Sequence, residues 1–240
     1  MYSLKKSTFA ILKYFCVFFI ISAIISCQQK PPWQNMFSGS DLEGWNQKNG
    51  KAKYIVENGE VVGSTVLNTP NSFLCTDENY SDFILELEYK VDSPLNSGIQ
   101  IRSNSFEEYN KGRVHGYQIE IDPSERAWSA GIYDEGRRGW LYDLSNNDPA
   151  RKAFKNGEWN KYRIEAIGDS IKTWINDVPA AFLVDSKTKS GFIGLQVHGI
   201  GRDSSKIGLS VRWRNIRIIT EEPHKYLKKS PLKPLFFKEK

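Results

Sequence analysis

Cysteine is scarce in this chain, with three residues in 240. Cys16 lies within an apolar N-terminal run and Cys27 closes it, so Cys75 is left alone. No disulfide can staple the domain, and its stability must come from a core. A sustained helical period is also missing; only the DPARKAF stretch, which begins at Asp148, suggests a short helical turn. There is no internal repeat and no low-complexity segment. The longest apolar run, YFCVFFIISAIIS, is about a dozen residues, short for a membrane span and of the right size for a secretory h-region. Positive charge is lacking where nucleic acid would need it. The formal net charge is +5, but residues 1–26 hold three lysines and no acid, and residues 224–240 hold six lysines against one glutamate. Residues 27–223 are therefore at −3, which excludes a nucleic-acid footprint on the folded domain.

What is present begins with the ends. Lys5, Lys6 and Lys13 flank or enter the apolar run, which finishes in IISC with small Ser26 before Cys27. This resembles a bacterial lipobox. The expectation is a lipoprotein signal peptide over 1–26, a lipid on Cys27 and a polar tether over 27–35. The product would be an exported lipoprotein, periplasmic or outer-membrane associated, that meets the membrane through its anchor. A domain over 36–220 and a basic, frayed tail over 221–240 complete the division.

Between the ends, short alternating or β-branched segments recur, divided by Gly, Asn, Asp, Ser and Pro. Examples are YIVENGEVVGS, DFILELEYKV, SGIQIRS, GYQIEID and SGFIGLQVHG. ENGE (57–60) and IGDS (167–170) read as hairpin turns. The fold class is all-β, a two-sheet antiparallel sandwich or jelly roll. In DFILELEYK the polar set Glu86, Glu88 and Lys90 has the composition of a solvated face. Three other strands differ. Their apolar sets are Ile99 and Ile101; Tyr117, Ile119 and Ile121; and Ile193, Leu195 and Val197. Opposite them stand Gln100 and Arg102; Gln118, Glu120 and Asp122; and Gln196 and His198. If these strands are neighbours, amides and proton-active groups share one concave surface, suited to hydroxylated, sugar-like ligands. Trp45, Trp159 and Trp213 are expected in packing, and His115 and His224 carry no predicted role.

FSGSDLEGW, ENGEVVGS, YSDFILELEYKV, NSGIQIRS, GYQIEID, GEWNKYRIEAIGDSIKTWIND and SGFIGLQVHG followed by VRWRNIRI occur in an order that resembles the 3-keto-disaccharide hydrolase domain family. The likeness runs from about Met36 to Thr220. It implies a concanavalin A-like sandwich acting on an oxidised glycoside or disaccharide whose carbon 3 is a ketone. Carried over by position, Arg102, Glu120 and His198 are its catalytic residues, with Gln118 an alternative to Glu120. Gln100, Gln118, Asp122 and Gln196 would bind substrate. The AGIYDEGRRGWLYDL insert departs from the family, and its Glu135, Arg138 and Trp140 would shape substrate choice, Trp140 as a stacking platform.

The chemistry implied is elimination. The ketone acidifies the hydrogen on carbon 2, a base removes it, and the oxygen on carbon 1 leaves before water adds back. A base poised near neutrality contributes roughly 10²- to 10⁴-fold, which a histidine supplies readily. The enolate would be stabilised by Arg102 or by one divalent metal ion on Glu120 and His198. No organic cofactor is implied. Two other readings stay open. One is a carbohydrate-binding module without catalysis. The other is a laminarinase-like glycosidase with Glu120 and Glu125 as its carboxylate pair, from the E-x-D-x-x-E string at 120–125.

Overall fold

The computed structural model describes residues 30–237. The expected signal peptide, Cys27 and the first residues of the tether lie outside them. In chain order the strands are β1 (Gln34–Asn35), β2 (Trp45–Asn49), β3 (Lys53–Glu57), β4 (Glu60–Ser64) and β5 (Ser72–Thr76). Then come β6 (Phe83–Val91), β7 (Ser97–Asn104), β8 (His115–Ile121), β9 (Ile132–Glu135) and β10 (Gly139–Tyr142). The helix α1 (Asp148–Ala153) precedes β11 (Asn160–Ile167), β12 (Ser170–Ile175), β13 (Val178–Val184), β14 (Phe192–Val197), β15 (Ser210–Ile219) and β16 (Leu235–Phe236).

The expected two-sheet sandwich is what forms. One sheet of nine strands runs β16-β13-β12-β11-β6-β15-β4-β3, with β1 beside β15; the other runs β10-β9-β8-β7-β14-β5-β2. Every pairing is antiparallel except that of β13 with β16. Both hairpin turns are where the sequence puts them. Asn58 and Gly59 join β3 to β4 with φ of 52° and 76°, the left-handed pair that a two-residue turn needs. The core lies between the sheets, with Ile99, Tyr117, Ile119 and Leu195 from one facing Leu85, Leu87, Tyr162 and Trp213 from the other.

Tyr162 reaches across this core and donates its hydroxyl to the backbone oxygen of Glu120 at 2.5 Å. Trp45 and Trp213 are buried in packing as expected.

Three expectations change. The tether boundary moves toward the N-terminus, because Gln34 and Asn35 pair with Ile218 and Arg217, and the Arg217 guanidinium stacks on Trp33 at 4.5 Å. Glu86 is buried rather than solvated, and accepts from Arg163 at 3.0 Å and Arg217 at 2.7 Å. Burial alone would raise its pKa, but these guanidinium bonds outweigh that and hold it below the usual range. Finally, the basic tail is not frayed. The Tyr226 backbone oxygen accepts from Arg163 at 2.7 Å, and the Lys228 N–H donates to Glu165 at 2.8 Å. Leu235 and Phe236 then pair with Leu183 and Val184. Backbone hydrogen bonds and strand pairing hold the tail, while Leu227, Leu235 and Phe236 stay exposed.

Candidate active site

β8, β7 and β14 are adjacent, in that order, so the three polar faces do share one sheet surface. Gln118 on β8 stands opposite Gln100 on β7, which stands opposite Gly194 on β14. Gly98 is the key to the local geometry. A Cβ there would meet the Gln118 side chain at 2.5 Å, so only glycine lets Gln118 lie flat across β7. From that position Gln118 accepts from Gln196 at 2.9 Å and donates to Glu120 at 2.8 Å.

Glu120 lines an open cleft of about 320 Å³ together with Gln118, Gln196, His198, Glu135 and Trp140. Its other carboxylate oxygen accepts from Asn96 at 2.6 Å. Burial pushes its pKa up to about 7; the amide bonds from Asn96 and Gln118 pull against that rise without cancelling it. His198 is exposed at the rim, just past the end of β14. Its Nδ1 lies 2.8 Å from the Gly199 backbone oxygen, so Nδ1–H donates there and Nε2 is the acceptor in the neutral ring.

The wall is aromatic. Trp140 packs edge-on to Tyr133 at 5.4 Å and to Trp128 at 4.9 Å, and the Arg126 guanidinium lies over both tryptophans.

Five predicted site residues lie elsewhere. Arg102 is buried and does not reach the cleft. β7 bulges there, with a register shift between Ile101 and Asn104, and Arg102 takes φ 45°. Its guanidinium donates to Ser81 O, Gly168 O and Asp82 at 2.6, 2.7 and 3.0 Å, clasping one sheet to the other. Asp122 organises the turn after β8, accepting from Ser124 Oγ, Arg126 and the Trp128 N–H. Burial would raise its pKa, but these bonds outweigh it and hold it low. Arg138 turns to Asp134 and Asp185. Gln100 is buried beneath Gln118 and does not line the cleft. Glu125, the second carboxylate of the laminarinase-like reading, stands on an exposed turn away from the lining.

Asn71, Asn96, Arg113, Arg126 and Tyr133 also line the cleft and were not predicted. Asn96 adjoins the SGIQIRS strand and Tyr133 falls in the insert, but Arg113, Arg126 and Asn71 stand in connections with no periodicity to mark them. As for a metal, no group of three or more His, Cys, Asp or Glu able to hold one occurs among the described residues. Both Glu120 oxygens already accept amide N–H bonds. Among the described residues, Glu120 and His198 alone do not make up a metal centre.

The two sheets define a fold class, the jelly roll shared by glucanases and lectins. The chain belongs to the 3-keto-alpha-glucoside-1,2-lyase-like domain family, whose sequence model matches residues 32–219. Among solved structures it is similar to a candidate glycosyl hydrolase from Parabacteroides distasonis, with 17% identity and a TM-score of 0.57 over 79% of this chain and 94% of that one. A lichenase from a mouse hindgut metagenome gives 13% identity and 0.54, over 79% and 98%. The carbohydrate-binding module CBM66 of Bacillus subtilis gives 17% and 0.52, over 72% and 93%. At these identities the likeness is one of fold. No curated protein matches the chain.

Proposed function

We propose that this domain cleaves the glycosidic bond of 3-keto-glycosides by elimination across carbons 1 and 2, followed by hydration. The observation that carries the reading is Glu120, a buried carboxyl lining the cleft whose pKa is raised to about 7. Such a group is ionised often enough at neutral pH to accept a proton, and basic enough to hold it. Glu120 takes the hydrogen on carbon 2, and the electron pair moves into the carbon 3 carbonyl as an enolate. Arg113 and Arg126, which line the same cleft, are the cations nearest to hand for that charge. The enolate collapses, the carbon 1–oxygen bond breaks, and the departing oxygen takes the proton from Glu120. Water then adds to the enone, with hydroxyl at carbon 1 and hydrogen at carbon 2, so the sum is hydrolysis.

The test is turnover of a 3-keto-glucoside in heavy water, read at early times against a product-only control. Deuterium at carbon 2 of the released 3-keto sugar is expected, together with a loss of at least about a hundredfold in Glu120→Gln. Full retention of the original hydrogen would rule out elimination. Binding without cleavage would mark the domain as a carbohydrate-binding module.

A further inference from the structure

Beneath the cleft, three glutamines are joined end to end. Ser103 Oγ donates to Gln100 Oε1 at 2.7 Å, and Gln100 Nε2 donates to Gln118 Oε1 at 2.6 Å. Gln196 Nε2 donates to that same Gln118 oxygen at 2.9 Å, and Gln118 Nε2 donates to Glu120 at 2.8 Å. Gln100 and Gln196 are 0% exposed and Gln118 is 2%, so water does not compete for these bonds. One atom is left over. Gln196 Oε1 is buried and has no partner among the described residues, although Gln196 lines the cleft. A buried acceptor without a donor is rare enough to require a reason.

The direction of every amide follows from Glu120. An ionised carboxylate can only accept, so Gln118 must turn Nε2 toward it. That turns Gln118 Oε1 toward Gln100 and Gln196, each of which must then donate. Gln196 is left with its Oε1 unpartnered, beside the second N–H of its amide.

We propose that Gln100, Gln118 and Gln196 act as one polarised amide ladder, in which Gln100 is a positioning residue and Gln196 Oε1 accepts a substrate hydroxyl. The reading of Glu120 as the base fixes which hydroxyl. Gln196 and Glu120 bond to opposite ends of the Gln118 amide and line the same cleft. The hydroxyl assigned to it is the one on carbon 2, the carbon whose hydrogen Glu120 removes. The site selects a ring bearing a free hydroxyl on its acidic carbon. Other groups also face Glu120: Asp122 on its own strand, Arg126 in the turn beyond, Tyr133 and Glu135 on β9, Arg113 before β8 and His198 after β14. None of them bonds to the ladder amides, so the ladder's response to pH belongs to Glu120.

Two measurements test this, and they fail separately. The first needs no turnover: side-chain amide NMR of the full chain from pH 5 to 9. The NH₂ signals of Gln100, Gln118 and Gln196 should follow one titration with its midpoint near the Glu120 value of about 7. They should lose that titration in Glu120→Gln. Amides that ignore pH, or titrate at unrelated midpoints, would overturn the ladder whatever the protein's activity. The second compares a 3-keto-glucoside with its 2-deoxy analogue, corrected for uncatalysed elimination, on wild type and Gln196→Met. On wild type, loss of the hydroxyl should cost about tenfold in kcat/KM, as one neutral hydrogen bond does. On Gln196→Met that difference should vanish. An equal penalty on both enzymes would remove Gln196 as the hydroxyl acceptor. Absence of any turnover by wild type would sink the proposed function and leave the NMR result to decide the ladder.

Discussion

Glu120 shows how much one side chain's surroundings decide. An isolated glutamate ionises at 4.5, and this one at about 7, because burial disfavours the charge more than Asn96 and Gln118 favour it. Between those two values the folded protein holds a proton that the unfolded chain has released. Stability therefore falls as pH rises through that window, by roughly 3 kcal/mol in all, and the loss is complete above pH 7. Glu120→Gln removes the charge and with it this penalty. Its melting temperature should rise relative to wild type as pH goes from 5 to 8, which thermal unfolding at both values will show. A gap between the two proteins that does not change with pH would mean that Glu120 ionises as an ordinary glutamate. Activity should run the opposite way: kcat/KM of wild type should climb as pH rises through about 7, because the base works only when ionised.

At the scale of elements, β7 is both the most legible strand and the most misleading. Its alternation of Ile99 and Ile101 against Gln100 identified a strand and its faces correctly. The same alternation placed Arg102 on the cleft. Opposite the bulge stands Gly116, where a Cβ would come within 2.3 Å of Ser103 Oγ, and this pair redirects the chain. Nothing within SGIQIRS announces a bulge, since it is a property of two strands in register. Arg102→Ala should therefore behave as a structural variant. It would orphan the Ser81 and Gly168 carbonyls and cost about 3 kcal/mol, or roughly 10 °C, in denaturant or thermal unfolding. kcat/KM at a temperature where it remains folded should match wild type. A stable variant with activity down a hundredfold would return Arg102 to the chemistry. Glu120, Gln118, Gln196 and His198 were legible because a strand's period fixes its faces. The walls were not, because Arg113, Arg126 and Asn71 stand in connections whose course only tertiary packing sets.

Over the whole molecule, both ends of the described chain join the sheet that does not bear the cleft. β1 adds to β15 and the tail to β13. β13 reads VPAAFLV and carries no charge of its own. Its near end is guarded by Asn147, whose side-chain amide donates to Pro179 O at 3.0 Å and Ala180 O at 2.9 Å. Its far end is covered by β16 and by the Phe237 N–H on Val184 O. Truncation after Lys228 should spare the cleft and activity toward the proposed substrate, yet raise light scattering on concentration or mild heating. An equally clear solution would show that the tail protects nothing. An uncovered strand of this composition offers its free backbone groups to another copy, which in turn exposes its own. β16 and Phe237 thus set how densely the protein can be packed before its sheets begin to grow from one molecule into the next.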